Sequence, residues 1–249
     1  MRPANAIWVV LPTYDERENL GSIVPAILAE LPEATLLVVD DASPDGTGEL
    51  ADAMAAADPR VRVLHRAGKE GLARAYADGF AAALAGGAGV VVQMDADWSH
   101  HPRYLRSLVE AIGGGADLVL GSRYVRGGGT RNWPLRRRLV SRGGNLYAQL
   151  VLWLSYRDLT GGFKAWRAGL LRQVEPSSVR ISGYVFQVEL THRAHLAGAR
   201  IRELPILFEE RRAGVSKMSG GIFVEAARQV LRLRLRTFRW KRRVRLRVD

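Results

Sequence analysis

The chain has 249 residues, 47% of them hydrophobic and 25% charged, which suits one sizeable α/β domain with an appendage. It has no cysteine, so disulfides, thiolate metal sites and cysteine nucleophiles are excluded, and a reducing compartment suits it. The net charge of +12 is concentrated from Arg228 to the end, where nine arginines and Lys241 face one acid, Asp249; a uniformly basic nucleic-acid binder would look different.

Ile7 to Leu11, ended by Pro12, reads as a buried first strand. A polar loop then leads to a helix whose apolar positions Leu20, Ile23, Val24, Ile27, Leu28 and Leu31 share one face. Leu36 to Val39 is a second strand, ending in Asp40-Asp41-Ala42-Ser43-Pro44-Asp45-Gly46-Thr47 before a helix over 49–57. Val61 to Leu64 is a third strand, followed by an alanine-rich helix to Leu84. Gly89 to Met94 is the fourth, Leu105 to Ile112 a helix, and Asp117 to Gly121 a fifth strand. Strands alternating with helices imply a mostly parallel sheet covered on both faces, with ligands at the carboxyl ends of its strands. Four polar loops occupy those ends, at 12–16, 40–47, 95–101 and 121–124.

After Tyr124 come glycines 127–129, a helix over 139–154 with Leu146, Leu150 and Leu154 on one stripe, and a turn from Asp158 to Phe163. The turn's glycines serve either positive φ or close approach of a bound sugar. A helix from Gly183 to near Gly198, extended segments at 201–204 and 206–208, and a basic loop at 211–217 complete the pattern. No dinucleotide or P-loop glycine motif occurs. No apolar run approaches the ~20 residues of a spanning helix, and the first residues lack a signal-peptide core. The expectation is a soluble or peripheral protein.

Asp95 and Asp97 leave the fourth strand one residue apart, so alternation sends both to one side. A divalent cation carrying a diphosphate resolves their repulsion. Capping of a helix starting near Pro102 is the plainer reading, and D-x-D alone does not separate the two.

The motifs in combination do. P-T-Y-x-E at 12–16, D-D-x-S-x-D-G-T at 40–47, K-x-G-L-A-x-A-Y at 69–76, D-A-D-x-S-H-x-P at 95–102 and G-S-R-Y at 121–124 resemble inverting family-2 glycosyltransferases of GT-A fold. W-x-L-x-R at 133–137, S-R-G-x-N at 141–145, D-L-T-G-G-F at 158–163, G-Y-x-F-Q-V-E at 183–189 and G-x-S-K at 214–217 are similar to polyprenol (dolichol) monophosphate mannose synthases. The resemblance spans residues 7 to about 225.

It implies transfer of mannose from GDP-mannose to a polyprenyl phosphate with Mg2+ or Mn2+. Pro12, Tyr14, Glu16, Val39 and Asp41 would hold the guanosine, and Asp95, Ala96 and Asp97 the ribose and diphosphate. Asp97 is the leading metal ligand; Ser99 stands where other members carry a glutamine ligand. Arg123 and Arg137 would hold donor and acceptor phosphates, with Ser141 on the acceptor side, and Arg211 and Lys217 would close over the diphosphate. The acceptor phosphate, with a second pKa of about 6, is already anionic and needs no general base, although Asp95 or Asp158 could orient groups nearby. The same motifs admit a UDP-sugar such as UDP-glucose as donor.

The chain divides on this reading into a catalytic domain, 1–227, and a basic tail, 228–249. Leu231, Leu233, Leu235, Phe238, Trp240, Val244 and Leu246 lie among the tail's arginines, a composition for anionic headgroups. The expected place is the cytoplasmic face of the membrane, with a membrane-anchored protein as a possible partner and no nucleic acid. A non-catalytic nucleotide or RNA binder is the reading from another class.

Overall fold

The computed structural model describes residues 6–179, 184–209 and 225–236. The apolar runs form β1 (Ile7–Thr13), β2 (Thr35–Asp40), β3 (Val61–His65), β4 (Val90–Gln93) and β5 (Leu118–Ser122), each within two residues of its expected limits. Between them lie α1 (Arg17–Glu30), α2 (Thr47–Ala57), α3 (Leu72–Ala85) and α4 (Leu105–Gly113). Then follow β6 (Gly129–Thr130), α5 (Leu135–Leu152), β7 (Lys164–Arg167), α6 (Ala168–Val174), α7 (Tyr184–Leu196), β8 (Ile201–Pro205), β9 (Leu207–Phe208) and a last helix, α8 (225–236).

The seven-stranded sheet has the order β3-β2-β1-β4-β7-β5-β8. All its pairings are parallel except those of β7, which runs antiparallel between β4 and β5. The period-2 alternation of β1 feeds two cores: Trp8 and Val10 face one, with α3, α7 and α8, while Ile7, Val9 and Leu11 face the other, with α1 and α4. Every apolar position expected on α1 is buried; a fully buried Leu or Ile contributes about 1.5–3 kcal/mol.

The structure adds one strand that the sequence did not show and alters two expectations. β7, K-A-W-R, has charged ends and only four residues, too short for alternation to show; in place Trp166 packs in the first core and Ala165 in the second. Leu154 does not share an outward stripe with Leu146 and Leu150, because the chain leaves α5 at Trp153, in the left-handed region, and turns Leu154 into the core. The boundary expected at 228 falls inside α8, whose Val230 and Leu233 are core residues.

α3 lies hard against the sheet at Gly79, where a Cβ would stand 2.5 Å from Val10 Cγ1 and 3.0 Å from Val39 Cγ2. Gly79→Ala should therefore lower unfolding stability by about 1–3 kcal/mol, as overpacking does. An unchanged urea midpoint would contradict that packing.

Candidate active site

Because β7 is antiparallel, its amino end arrives where β4 and β5 present their carboxyl ends, Lys164 pairing with Gln93 on one side and Leu120 on the other. The turn from Asp158 to Phe163 therefore lies between the aspartate loop after β4 and Arg123 after β5.

Asp95 Oδ1 accepts a hydrogen bond from Tyr76 Oη at 2.6 Å, and Asp97 is buried with Oδ1 accepting the Ser99 N–H at 3.1 Å. Burial first, then the charges of Asp95 and Asp97, raise the Tyr76 phenol well above its usual pKa. Directly after them Trp98 holds a φ of 64°, a conformation costing a side-chain-bearing residue about 1–2 kcal/mol. The capping reading fails: His101, not an aspartate, caps the 3-10 turn Pro102–Tyr104.

His100 is the buried centre of the site. Its Nδ1 accepts the Asp95 N–H at 3.0 Å, and its ring stacks on Phe163 and meets the edge of Phe208. Burial lowers its pKa, so it is neutral with the proton on Nε2; Asp95, Asp97, Arg123 and Asp158 all act on it electrostatically. Gly162 lets the backbone pass close by: a Cβ there would stand 3.3 Å from His100 and 3.6 Å from Asp95 Oδ2. Gly161 and Gly162 are not at positive φ, so close approach is their reason.

Arg123 is clamped. Its backbone N–H and Nε donate to Asp158 Oδ2 at 2.9 and 2.7 Å, and Nη2 donates to Asp158 Oδ1 at 2.7 Å and Thr160 Oγ1 at 3.0 Å. Burial acts to raise the Asp158 pKa, but the Arg123 charge and hydrogen bonds bring it below the usual carboxylate range. Asn145 of α5 accepts the N–H groups of Leu159 and Thr160, and Glu203 of β8 accepts those of Arg157 and Asp158, pinning the turn from both sides. The Arg123 guanidinium faces the rings of Tyr124, Trp133 and Phe208, and Arg137 lies 4.0 Å over the Trp133 ring. Ser141 accepts from Tyr124 Oη at 2.7 Å.

At the other end of the strand tips, Pro12 pairs in register with Val39, and Lys69 Nζ lies 3.2 Å over the Tyr14 ring. Glu16 accepts from Asn19, and buried Asp41 pairs with buried Arg66, which also bonds Glu70 and Asp78. Asp40, Ser43 and Asp45 do turn work: Asp40 accepts the Ser43 N–H and Asp45 the Thr47 N–H. Arg211 and Lys217 lie outside the described residues.

The model of glycosyl transferase family 2 matches residues 8–175. The chain belongs to that family. It is 49% identical to a polyprenol monophosphomannose synthase of Mycolicibacterium smegmatis over 91% of this chain and 86% of the relative. It is 48% identical to an undecaprenyl-phosphate mannosyltransferase of Micrococcus luteus over 94% and 96%. Among solved structures, glucosyl-3-phosphoglycerate synthase of Mycobacterium tuberculosis with Mn2+, UDP and phosphoglyceric acid superposes with a TM-score of 0.66 at 22% identity, covering 92% of this chain and 77% of that one. A mannosyltransferase of Pyrobaculum calidifontis with GDP-Man and Mn2+ gives 0.58 at 20%, covering 94% and 64%. The fold is GT-A.

A divalent cation fits the family-2 site as a sparse set of hard oxygens. Among the described residues no group of three or more His, Cys, Asp or Glu stands ready to enclose a metal, so Asp95 and Asp97 suit an ion that takes its other ligands from phosphate and water. Tyr76, His100, Trp133 and Gln187 are the members of the site that the sequence reading did not single out. Tyr76 and His100 lay within quoted motifs, but only the fold shows them touching Asp95. Gln187 accepts from Gln93, which itself accepts from Trp166.

Behind the turn, Lys164 is fully buried, donating to Gln187 O at 2.8 Å and Thr191 Oγ1 at 2.9 Å. Burial depresses its pKa to about 7, with the Asp158 charge opposing. The unfolded chain then binds the proton more tightly, so stability rises with pH from about 7 towards the unfolded value of 10.5. From pH 7 to 9 the protein should gain roughly 2 kcal/mol over Lys164→Met in urea unfolding. Parallel pH profiles would contradict a Lys164 pKa depressed by burial.

Proposed function

We propose that the protein transfers mannose from GDP-mannose to a polyprenyl phosphate with inversion, giving polyprenyl-phosphate-mannose and GDP. The observation that carries this reading is that one turn, at Gly161 and Gly162, packs against Asp95 and His100 on one side and the Arg123–Asp158 pair on the other, at the strand tips. The two curated relatives, near half identical over almost the whole chain, support the lipid-phosphate acceptor and the sugar.

In this reading Pro12, Tyr14, Glu16, Val39 and Asp41 line the guanosine pocket, and Asp95, Ala96 and Asp97 face ribose and diphosphate. Asp97, with Ser99 beside it, would hold Mg2+ or Mn2+. The cation, when bound, would neutralise charge developing on the departing diphosphate. Arg137 and Ser141 receive the acceptor phosphate, and Arg123, fixed by Asp158, supplies a preorganised positive potential between the two reactants. Arg211 and Lys217 are assigned to closing over the diphosphate. An acceptor oxygen attacks the anomeric carbon as the glycosyl–phosphate bond breaks. His100 is neutral and buried, and takes no proton from the acceptor. The protein works as a peripheral enzyme at the cytoplasmic membrane face, with any membrane-anchored partner docking near the basic tail.

The test is incubation with GDP-mannose, Mg2+ or Mn2+ and a short-chain polyprenyl phosphate, reading out the glycolipid. Asp97→Asn should lower kcat at least a hundredfold while leaving the melting temperature of the free protein nearly unchanged. GDP-mannose at a hundred times its Kd should stabilise the wild type by about 2.7 kcal/mol. Stabilisation by UDP-glucose alone, with glucose transferred, would overturn the donor assignment; full activity in Asp97→Asn would overturn the site.

A further inference from the structure

The proposed chemistry leaves Trp133 without a task, although its indole is built into the site. The side chain is only 6% exposed, and its buried Nε1–H meets no acceptor among the described residues. A buried donor has given up water and gained nothing in return, so native folds rarely keep one.

The ring itself is firmly placed. Asn132 before it holds a φ of 59°, and Pro134 after it opens α5. β6 pairs with β9, and the Arg131 N–H donates to Phe208 O at 2.8 Å. That ribbon sets the Trp133 ring edge-on to Phe208, with centroids 5.2 Å apart and planes at 79°. Phe208 in turn meets the edge of His100, so the indole is joined through one ring to the loop that carries Asp95 and Asp97. A donor held this rigidly without a partner is suited to an acceptor that arrives from outside the protein.

Its neighbours specify that acceptor. The Arg137 guanidinium lies 4.0 Å over the indole and that of Arg123 lies 5.5 Å from it. Arg136, Arg137 and Arg138 all fall in the first turn of α5, which has no acid and no side-chain cap at Pro134. Cations are unfavourable at the positive end of a helix, and an anion seated there reverses the sign. Ser141 follows Arg137 by four residues, on the same side of α5, and its Oγ accepts from Tyr124 Oη, which leaves its own proton for another acceptor. Indole N–H and guanidinium groups can only donate. Donors converging in this way suit a group that only accepts, a phosphate, better than a sugar hydroxyl, which also donates.

We propose that Trp133 contacts the acceptor lipid, its indole N–H donating to a phosphoryl oxygen of the phosphate that Arg137 and Ser141 receive. That this phosphate is the acceptor's rests on the proposed function; the unpartnered donor among arginines does not. Nε1 is covered in the free protein, so the phosphate reaches it by displacing a side chain that lies against the indole, half-buried Arg137 being the long one that can follow the anion. The free protein then has no hydrogen bond to lose at Nε1, and deleting the N–H costs only the acceptor complex. A tryptophan that merely packs would behave in the opposite way.

The experiment uses the full chain with farnesyl phosphate, farnesol and GDP-mannose. Trp133→Phe keeps an aromatic ring without the N–H, and replacing Trp133 by its benzothienyl isostere removes the N–H alone. Both variants should melt at or above the wild-type temperature and keep kcat and the GDP-mannose Kd. Both should raise the Kd and KM of farnesyl phosphate about tenfold or more, the worth of one hydrogen bond to a charged group, and farnesol should bind to none of the three proteins. A lowered melting temperature with an unchanged farnesyl phosphate Kd in the isostere would overturn the proposal, because the N–H would then be bonded within the folded protein. A weakened GDP-mannose Kd with farnesyl phosphate unaffected would overturn it too, placing the indole on the donor side. If wild type binds farnesyl phosphate about tenfold more tightly than both variants yet transfers no mannose to it, the phosphate contact stands and the functional reading falls.

Discussion

Arg123 and Asp158 form the contact on which the site depends. Each ion alone would be costly to bury, on the order of several kcal/mol; together they exchange three hydrogen bonds, and Gly161 N–H and Thr160 Oγ1 take up further capacity. The pair joins the exit of β5 to the turn entering β7, which are not neighbours in sequence. With that turn fixed, Gly162 can sit against His100 and Asp95, and Phe163 under the imidazole.

A fully parallel sheet would send its connections away from this edge. The antiparallel insertion of β7 instead brings an extra loop to the tips of β4 and β5, so acid and guanidinium groups face each other across one turn. Lys164 anchors the same strand to α7 from inside the core. A buried ammonium is a poor way to gain stability, but its directional bonds fix register at the strand that carries the turn.

Much of this is legible in the residues. Apolar runs ended by polar loops give β1 to β5, because parallel strands buried on both faces must be apolar throughout. The one-residue spacing of Asp95 and Asp97 gives their shared direction, and ten short motifs in order give the family. What stays hidden is long-range. Nothing local tells that K-A-W-R enters the middle of a sheet, where its lysine finds partners 23 and 27 residues away. Nor can local pattern show that Arg123, expected to meet phosphate, is already held by Asp158, 35 residues on. Arginine-rich composition also hides that Val230 and Leu233 of the tail belong to the core, while the apolar stripe of α5 faces outward.

A double-mutant cycle over Arg123→Met and Asp158→Asn, read by urea unfolding, tests the central contact most directly. Each single change leaves a buried group without its partner and should cost about 3–5 kcal/mol, and the double variant no more than either single. Losses that simply add would contradict the account, since the two side chains would then be supporting the structure independently.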